Sequence, residues 1–226
     1  MTAKLAALTA AIVMGSLVTG SAQALIIHTP DSATSTAPGL GGGRTIDRVI
    51  DDSGLYDSAA NIEDWYHDLS TGNTGLYYIG DRNVPGKENV VFTFGFNSPV
   101  DVDQIHFWTY DRLGDNWGRE IKDFDISFST DGGATFDNTI GLTDWLDRAG
   151  ARITVDDASK IGHQSQSFTM QTGVTDIRFS NIVLHNDTHQ YVGLSEVKFS
   201  VIPEPGTLGM LGLFGLALVA RRRLRK

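Results

Sequence analysis

Between Val90 and Phe96 every second residue is bulky and apolar: Val90, Phe92, Phe94 and Phe96 alternate with Val91, Thr93 and Gly95. The same period of two returns at Phe124, Ile126 and Phe128, at Ile177 and Phe179, and at Val197, Phe199 and Val201. Their neighbours are polar: Asp123, Asp125, Ser127, Asp176, Arg178, Glu196, Lys198 and Ser200. Successive side chains of a strand point to opposite faces, so this pattern describes half-buried antiparallel strands with one apolar and one solvated face. Each Phe buried on such a face contributes roughly 1.5–3 kcal/mol. Only Thr143 to Ala149 reads as helical, with Thr143 as its N-cap. Many strands, frequent turns and almost no helix predict an all-β fold, a two-sheet antiparallel β-sandwich.

Both ends of the chain lie outside that pattern. Met1 to Ala24 carries Lys4, an apolar stretch from Leu5 to about Val18, and the small-residue site Ala22-Gln23-Ala24. This is the layout of a signal peptide cleaved between Ala24 and Leu25, which makes the Sec export machinery a partner. Leu25 to Gly43 is rich in Ser, Thr, Pro and Gly and reads as a flexible spacer (25–43). The sandwich is expected over 44–201 and a tail over 202–226. In the tail, Pro203-Glu204-Pro205 precedes an uncharged, Leu- and Gly-rich run from Gly206 to Ala220, and Arg221-Arg222-Arg223-Leu224-Arg225-Lys226 closes it. As a helix, 206–220 would reach about 22 Å against a hydrocarbon core of ~30 Å. The arginines at its end can snorkel to complete a single transmembrane span. Positive charge beyond it stays cytoplasmic, which puts the sandwich outside.

The order of these three tail parts resembles the PEP-CTERM sorting signal of Gram-negative, exopolysaccharide-making bacteria. The resemblance implies that an exosortase recognises Pro203, Glu204 and Pro205 and removes the tail. It further implies transient residence in the inner membrane, followed by release to the outer cell surface or extracellular matrix.

The chain has 18 Lys+Arg and 27 Asp+Glu. Lys4 and the five basic residues after Ala220 belong to the ends, which leaves 12 basic residues and a charge near −15 for the exported part. Such a surface argues against nucleic acid and anionic membrane as partners. There is no cysteine, so disulfides, thiolate metal sites and thiol nucleophiles are excluded.

The segment Asp123-Phe-Asp-Ile-Ser-Phe-Ser-Thr-Asp-Gly-Gly-Ala-Thr-Phe136 resembles the central hairpin of discoidin-like, galactose-binding-like jelly rolls, in which a strand ends in Ser-x-Asp-Gly-Gly. Val49 to Leu55 resembles their opening loop, and Val192 to Phe199 their closing strand. The three patches fall in family order and bracket Arg44 to Val201. Another lectin-like or immunoglobulin-like sandwich is the competing fold. Two departures stand out: Asp51-Asp52 replaces the family's frequent Asp-Gly or Asn-Gly, and the disulfide of animal members is missing. The resemblance implies a calcium (Ca2+) site made by Asp51, Asp52, Ser53 and Glu196. Calcium takes six to eight oxygens, including backbone carbonyls. An Asp-Ser-Gly turn capped by its own side chains is the plainer reading of the same loop.

A second constellation spans Trp108, Tyr110, Asp111, Arg112, Asp115, Asn116, Trp117 and Arg119. Flat aromatic faces suit the axial C–H groups of a sugar, and planar Asp, Asn and Arg side chains suit its hydroxyls, so this strand end and loop are the expected glycan site. Packing of Trp108 between sheets and Trp117 at the sandwich end is the alternative. His185 and His189 are four apart, as a metal pair on a helix would be, but they flank a polar hairpin turn where no helix is expected, and they read as loop or ligand-contact residues. No Gly-x-Ser-x-Gly elbow and no phosphate-binding glycine loop occurs, so the domain is expected to be non-catalytic. Two functions fit: a surface module that binds carbohydrate or exopolysaccharide, and a structural envelope or matrix protein acting through protein contacts. A solvent-facing Trp117 favours the first, and a buried one the second.

Overall fold

Two strands are far longer than the usual five or six residues, and they organise the fold. In the computed structural model, which describes residues 26–39, 41–57, 60–68, 78–81, 90–110, 119–142, 160–185 and 191–202, eleven strands are formed. They are β1 (Ile26–His28), β2 (Ser32–Ser35), β3 (Leu55–Tyr56), β4 (Tyr66–Asp68), β5 (Tyr78–Asp81), β6 (Phe92–Thr109), β7 (Ile121–Ser129), β8 (Asp137–Leu142), β9 (Lys160–Gly162), β10 (Gln164–Leu184) and β11 (Tyr191–Ile202). Short 3-10 turns occupy Ile46–Val49 and Ile62–Asp64.

β6 and β10 pair antiparallel from Gln164 and Phe107 to Phe179 and Phe92, but their register shifts between Ser167 and Asp176. Bulges of this kind bend strands and let them turn a corner between layers. Pro99, which has no N–H to give a ladder, lies exposed at the bend of β6. Across from it Gly173 adopts φ +65°, and its N–H donates to Asp101 Oδ1 at 2.9 Å. On one side of the corner β2, the first half of β6, the second half of β10, β7 and β8 form the front layer. On the other side the first half of β10, the second half of β6 and β11 form the back layer, with β1 and β5 paired to β11.

The predicted alternation is the inner lining of both layers. Phe92, Phe94, Phe124, Ile126, Phe128, Ile177, Phe179, Val197, Phe199 and Val201 are all buried in one hydrophobic core. Rings meet across the layers: Phe94 and Phe199 at 6.1 Å between centroids, Phe96 and Phe199 at 5.8 Å, Phe107 and Phe124 at 6.2 Å. The architecture is therefore the antiparallel β-sandwich that the sequence predicts.

Two expectations need correction. The segment read as a flexible spacer holds β1 and β2, paired to β11 and β6. Tyr78 fastens it further, donating its hydroxyl to Ala37 O at 2.6 Å, so this segment is part of the folded sandwich. The outer face of β11 and of the end of β6 is not solvated either. Gln104, His106 and Trp108 of β6 register with Ser200, Lys198 and Glu196 of β11, and His106, Trp108, Glu196, Lys198 and Ser200 are all buried. A small sheet, β3-β4-β9, provides cover there: the Trp65 and Trp108 rings stack at 6.4 Å, and Trp108 Nε1 donates to Trp65 O at 3.3 Å. Sequence alternation identifies a strand's apolar face but cannot tell that a later element will cover the polar one.

The expected helix at 143–149 and the tail from Pro203 onward lie outside the described residues, as do Ala24 and Leu25. Among the described residues no helix is long and apolar enough to cross a membrane.

Candidate functional site

The turn between β7 and β8 is built around one carboxylate. Asp131 Oδ1 accepts from Ser129 Oγ at 2.7 Å and from Thr135 N at 2.9 Å, while Oδ2 accepts from Thr135 Oγ1 at 2.8 Å. Ser129 Oγ in turn accepts from Gly133 N at 2.9 Å. Gly132 and Gly133 take φ +74° and +81°, a region costly to residues with a Cβ. The Thr135 backbone N–H, followed by the Ser129 and Thr135 hydroxyls, holds the Asp131 carboxyl down at about 2. Gly132 N donates to Thr175 Oγ1 at 2.9 Å, which docks the turn on β10 just past its corner.

Turn and corner enclose a cavity of about 290 Å³. Phe128 and Val174, both buried, give it an apolar floor, and Thr130, Thr135, Asp137, Asn138, Gln171 and Thr172 give it a polar wall. Asn138, in the left-handed region at φ +53°, donates from Nδ2 to Gln171 Oε1 at 2.8 Å. Gln171 Nε2 donates to Thr169 O at 2.7 Å, so both amides are oriented by partners. Met170, 48 % exposed, borders the opening. Hydroxyls, fixed amides and one carboxylate over an apolar floor can recognise a small polyhydroxylated ligand. The sequence signalled the turn through Asp131-Gly132-Gly133, but not the cavity, because half its wall comes from the corner of β10.

The residues expected to bind glycan are placed differently. Trp108 and Tyr110 are fully buried, so neither presents a ring to a ligand, and this part of the expected site is corrected. Trp108 packs against Trp65 beneath the small sheet, and Tyr110 lies over Gly193. Arg119 sets its guanidinium 5.0 Å from the centre of the Tyr191 ring, and His185 N donates to Glu120 O at 3.1 Å. Asp111, Arg112, Asp115, Asn116, Trp117 and His189 lie outside the described residues.

The opening loop does meet the closing strand, since Asp51 and Asp52 act on the Glu196 carboxyl, but side-chain cations stand among these oxygens. Asp51 Oδ2 pairs with Arg48 Nη1 at 2.8 Å, and its Oδ1 accepts from Ser53 N at 2.9 Å. Ser53 Oγ accepts from the same Arg48 nitrogen at 3.0 Å. Asp52 accepts from Lys198 Nζ, which sits 3.7 Å from Glu196 Oε1. Glu196 is fully buried, and burial pushes its pKa well up, offset only in part by Lys198 and by the Asp52 backbone N–H. Among the described residues no three His, Cys, Asp or Glu side chains are grouped to hold a metal ion. In this arrangement the residues do not fit calcium.

Among the described residues His106 and Ser200 make a contact reminiscent of a base and a nucleophile, 2.6 Å apart. Both are buried beneath the small sheet, where no substrate carbonyl reaches them.

Residues 201–226 match the family model of the PEP-CTERM protein-sorting motif, which indicates export and surface sorting. No curated protein matches the chain. Several solved structures resemble it in overall arrangement. CpGH89CBM32-5 from Clostridium perfringens, in complex with GalNAc-β-1,3-galactose, has a TM-score of 0.45 at 15% identity over 74% of this chain and 93% of its own. Chitosan-binding module 1 of a chitosanase/glucanase from Paenibacillus sp. IK-5 gives 0.43 at 15% identity, over 76% and 98%. A Streptococcus pneumoniae fucose-binding module gives 0.44 at 12% identity, over 75% and 89%. The chain combines the antiparallel β-sandwich described above with a PEP-CTERM sorting motif at residues 201–226.

Proposed function

We propose that this is an exported, surface-sorted protein whose sandwich is a non-catalytic carbohydrate-binding module of the cell envelope or extracellular matrix. The observation that carries the binding half is the cavity at the β7–β8 turn. Its amide and hydroxyl wall over Phe128 and Val174 matches the mixture a sugar presents, hydroxyls at its rim and C–H groups on its face. The sorting half rests on the tail, which implies an exosortase as the processing partner, and the signal-peptide pattern of residues 1–24 makes the Sec machinery the route out. Exopolysaccharide is the ligand such an address brings within reach. Among the described residues the cavity wall offers amides, hydroxyls and one carboxylate, a set suited to holding a sugar.

The test is binding of the full-length chain, in mild detergent, to a glycan array and to insoluble polysaccharide, beside Asn138→Ala and Gln171→Ala. Saturable binding by the native chain, weakened roughly tenfold or more by either substitution (a loss of ~1.4 kcal/mol), is expected. A silent array with folded protein overturns the carbohydrate reading.

A further inference from the structure

Where the fold resemblance would place a metal ion, the structure puts a side chain. We propose that the Lys198 ammonium is the built-in cation of this junction, tying the opening loop and the first strand to the closing strand without calcium.

The geometry is specific. Lys198 Nζ donates to Thr29 Oγ1 at 2.6 Å and to the Asp52 carboxylate, with Glu196 Oε1 3.7 Å away. Lys198 is only 4 % exposed. An ammonium has three donors on a flexible stem, so one group can engage a hydroxyl, a carboxylate and the field of a second carboxylate together. Those partners lie far apart in sequence: Thr29 directly follows β1, Asp52 stands in the loop after the first 3-10 turn, and Glu196 is two residues away on β11. Asp52 holds φ +59°, a conformation that Asp tolerates and that this ion pair helps to retain.

The charges account for the absence of a competing metal set. Asp51 and Ser53, the two other expected ligands, are turned onto Arg48, so a second side-chain cation already occupies them. A divalent ion beside Glu196 would lie within a few ångströms of a buried ammonium that cannot leave without losing Thr29 and Asp52. Burying an ammonium is costly unless it is paired, and here it is paired to oxygens that would otherwise ligate the metal. Glu196 and Lys198 alternate on the same face of β11, which is how a single strand supplies both the buried acid and its cation.

Thermal melts of the full chain in excess calcium chloride and in EGTA test this, with Lys198→Met, Lys198→Arg and Thr29→Val alongside. The native chain is expected to melt at the same temperature in both buffers. Lys198→Met should fall by roughly 5 °C or more, and Lys198→Arg, which keeps the charge, should recover part of that loss. Should Lys198→Met fail to fold, calcium titration of the native chain by calorimetry, with Thr29→Val as the milder variant, replaces it. Saturable calcium binding or a calcium-raised melt of the native chain overturns the proposal, as does a Lys198→Met or Thr29→Val melt equal to native. These outcomes are independent of carbohydrate binding.

Discussion

His106 Nδ1 lies 2.8 Å from His163 Nε2, in the layer between the back sheet and the small sheet. The direction of that bond follows from its neighbours. Ser200 Oγ donates to Gln104 Oε1 at 3.3 Å and so accepts from His106 Nε2 at 2.6 Å. His106 Nδ1 is then the acceptor and His163 Nε2 the donor, which requires a neutral His106.

Acid should therefore loosen the small sheet. Burial first, and His163 second, lower the His106 pKa to about 3; burial also lowers that of His163, against Glu63, which raises it. The native state binds these protons less tightly than the unfolded chain, whose histidines titrate near 6.5. The corresponding stability is complete above about pH 7 and is lost as pH falls from about 6.5 towards 3. A melt series from about pH 8 to pH 5 is expected to drop by ~4 °C or more, with a shallower slope in His106→Gln. An unchanged slope in that variant would assign the acid loss to other groups.

Asp131 behaves in the opposite chemical sense and the same direction on the pH axis. Its carboxyl is held at about 2, chiefly by the Thr135 N–H, so the turn keeps this contribution above about pH 4. It is lost as pH falls towards 2. Asp131→Ala should speed amide exchange at Gly133 and Thr135, because it removes the acceptor at Thr135 and the donor's partner at Ser129. Since Thr135 and Asp137 stand on the cavity wall, the same variant should weaken glycan binding.

A single methyl group tests the packing of β11. A Cβ at Gly193 would stand 2.5 Å from the ring of the fully buried Tyr110, closer than any real contact. Gly193→Ala is expected to cost about 1–3 kcal/mol through overpacking, read by urea denaturation. The double variant Gly193→Ala, Tyr110→Leu should recover part of it. Equal stability of native and Gly193→Ala chains would mean that the Tyr110 ring is free to move.

How much of this was legible beforehand divides along physical lines. Phe92, Phe94, Phe124, Phe179 and Phe199 could be read because a strand's period exposes its inner face directly. Asp131-Gly132-Gly133 could be read because only glycine accepts those backbone angles cheaply. Glu196, Lys198 and Ser200 were misread as solvated, since nothing local says that residues 55–68 and 160–163 will cover them. β1 and β2 were missed for a related reason: short stretches such as Ile26-Ile27-His28 and Ser32-Ala33-Thr34-Ser35 carry too little period of their own and become strands by adding to β11 and β6. The cavity escaped because Asn138 and Gln171 meet only after β10 turns its corner.

Trp108 separates the two roles a tryptophan can play in such a domain. Its ring stacks against Trp65, lies 5.2 Å from the His163 ring, and spends its N–H on the Trp65 carbonyl. Every favourable contact it has is internal. Trp108→Ala is therefore expected to destabilise by about 3–5 kcal/mol. Trp108→Phe, which keeps most of the ring but loses the N–H bond, should cost about 1–2 kcal/mol. Polysaccharide affinity of the folded Trp108→Phe chain should equal that of the native one, because the cavity at Asn138 is framed by other elements. A selective loss of affinity in Trp108→Phe at unchanged stability would instead return the binding face to the β6 end of the sandwich.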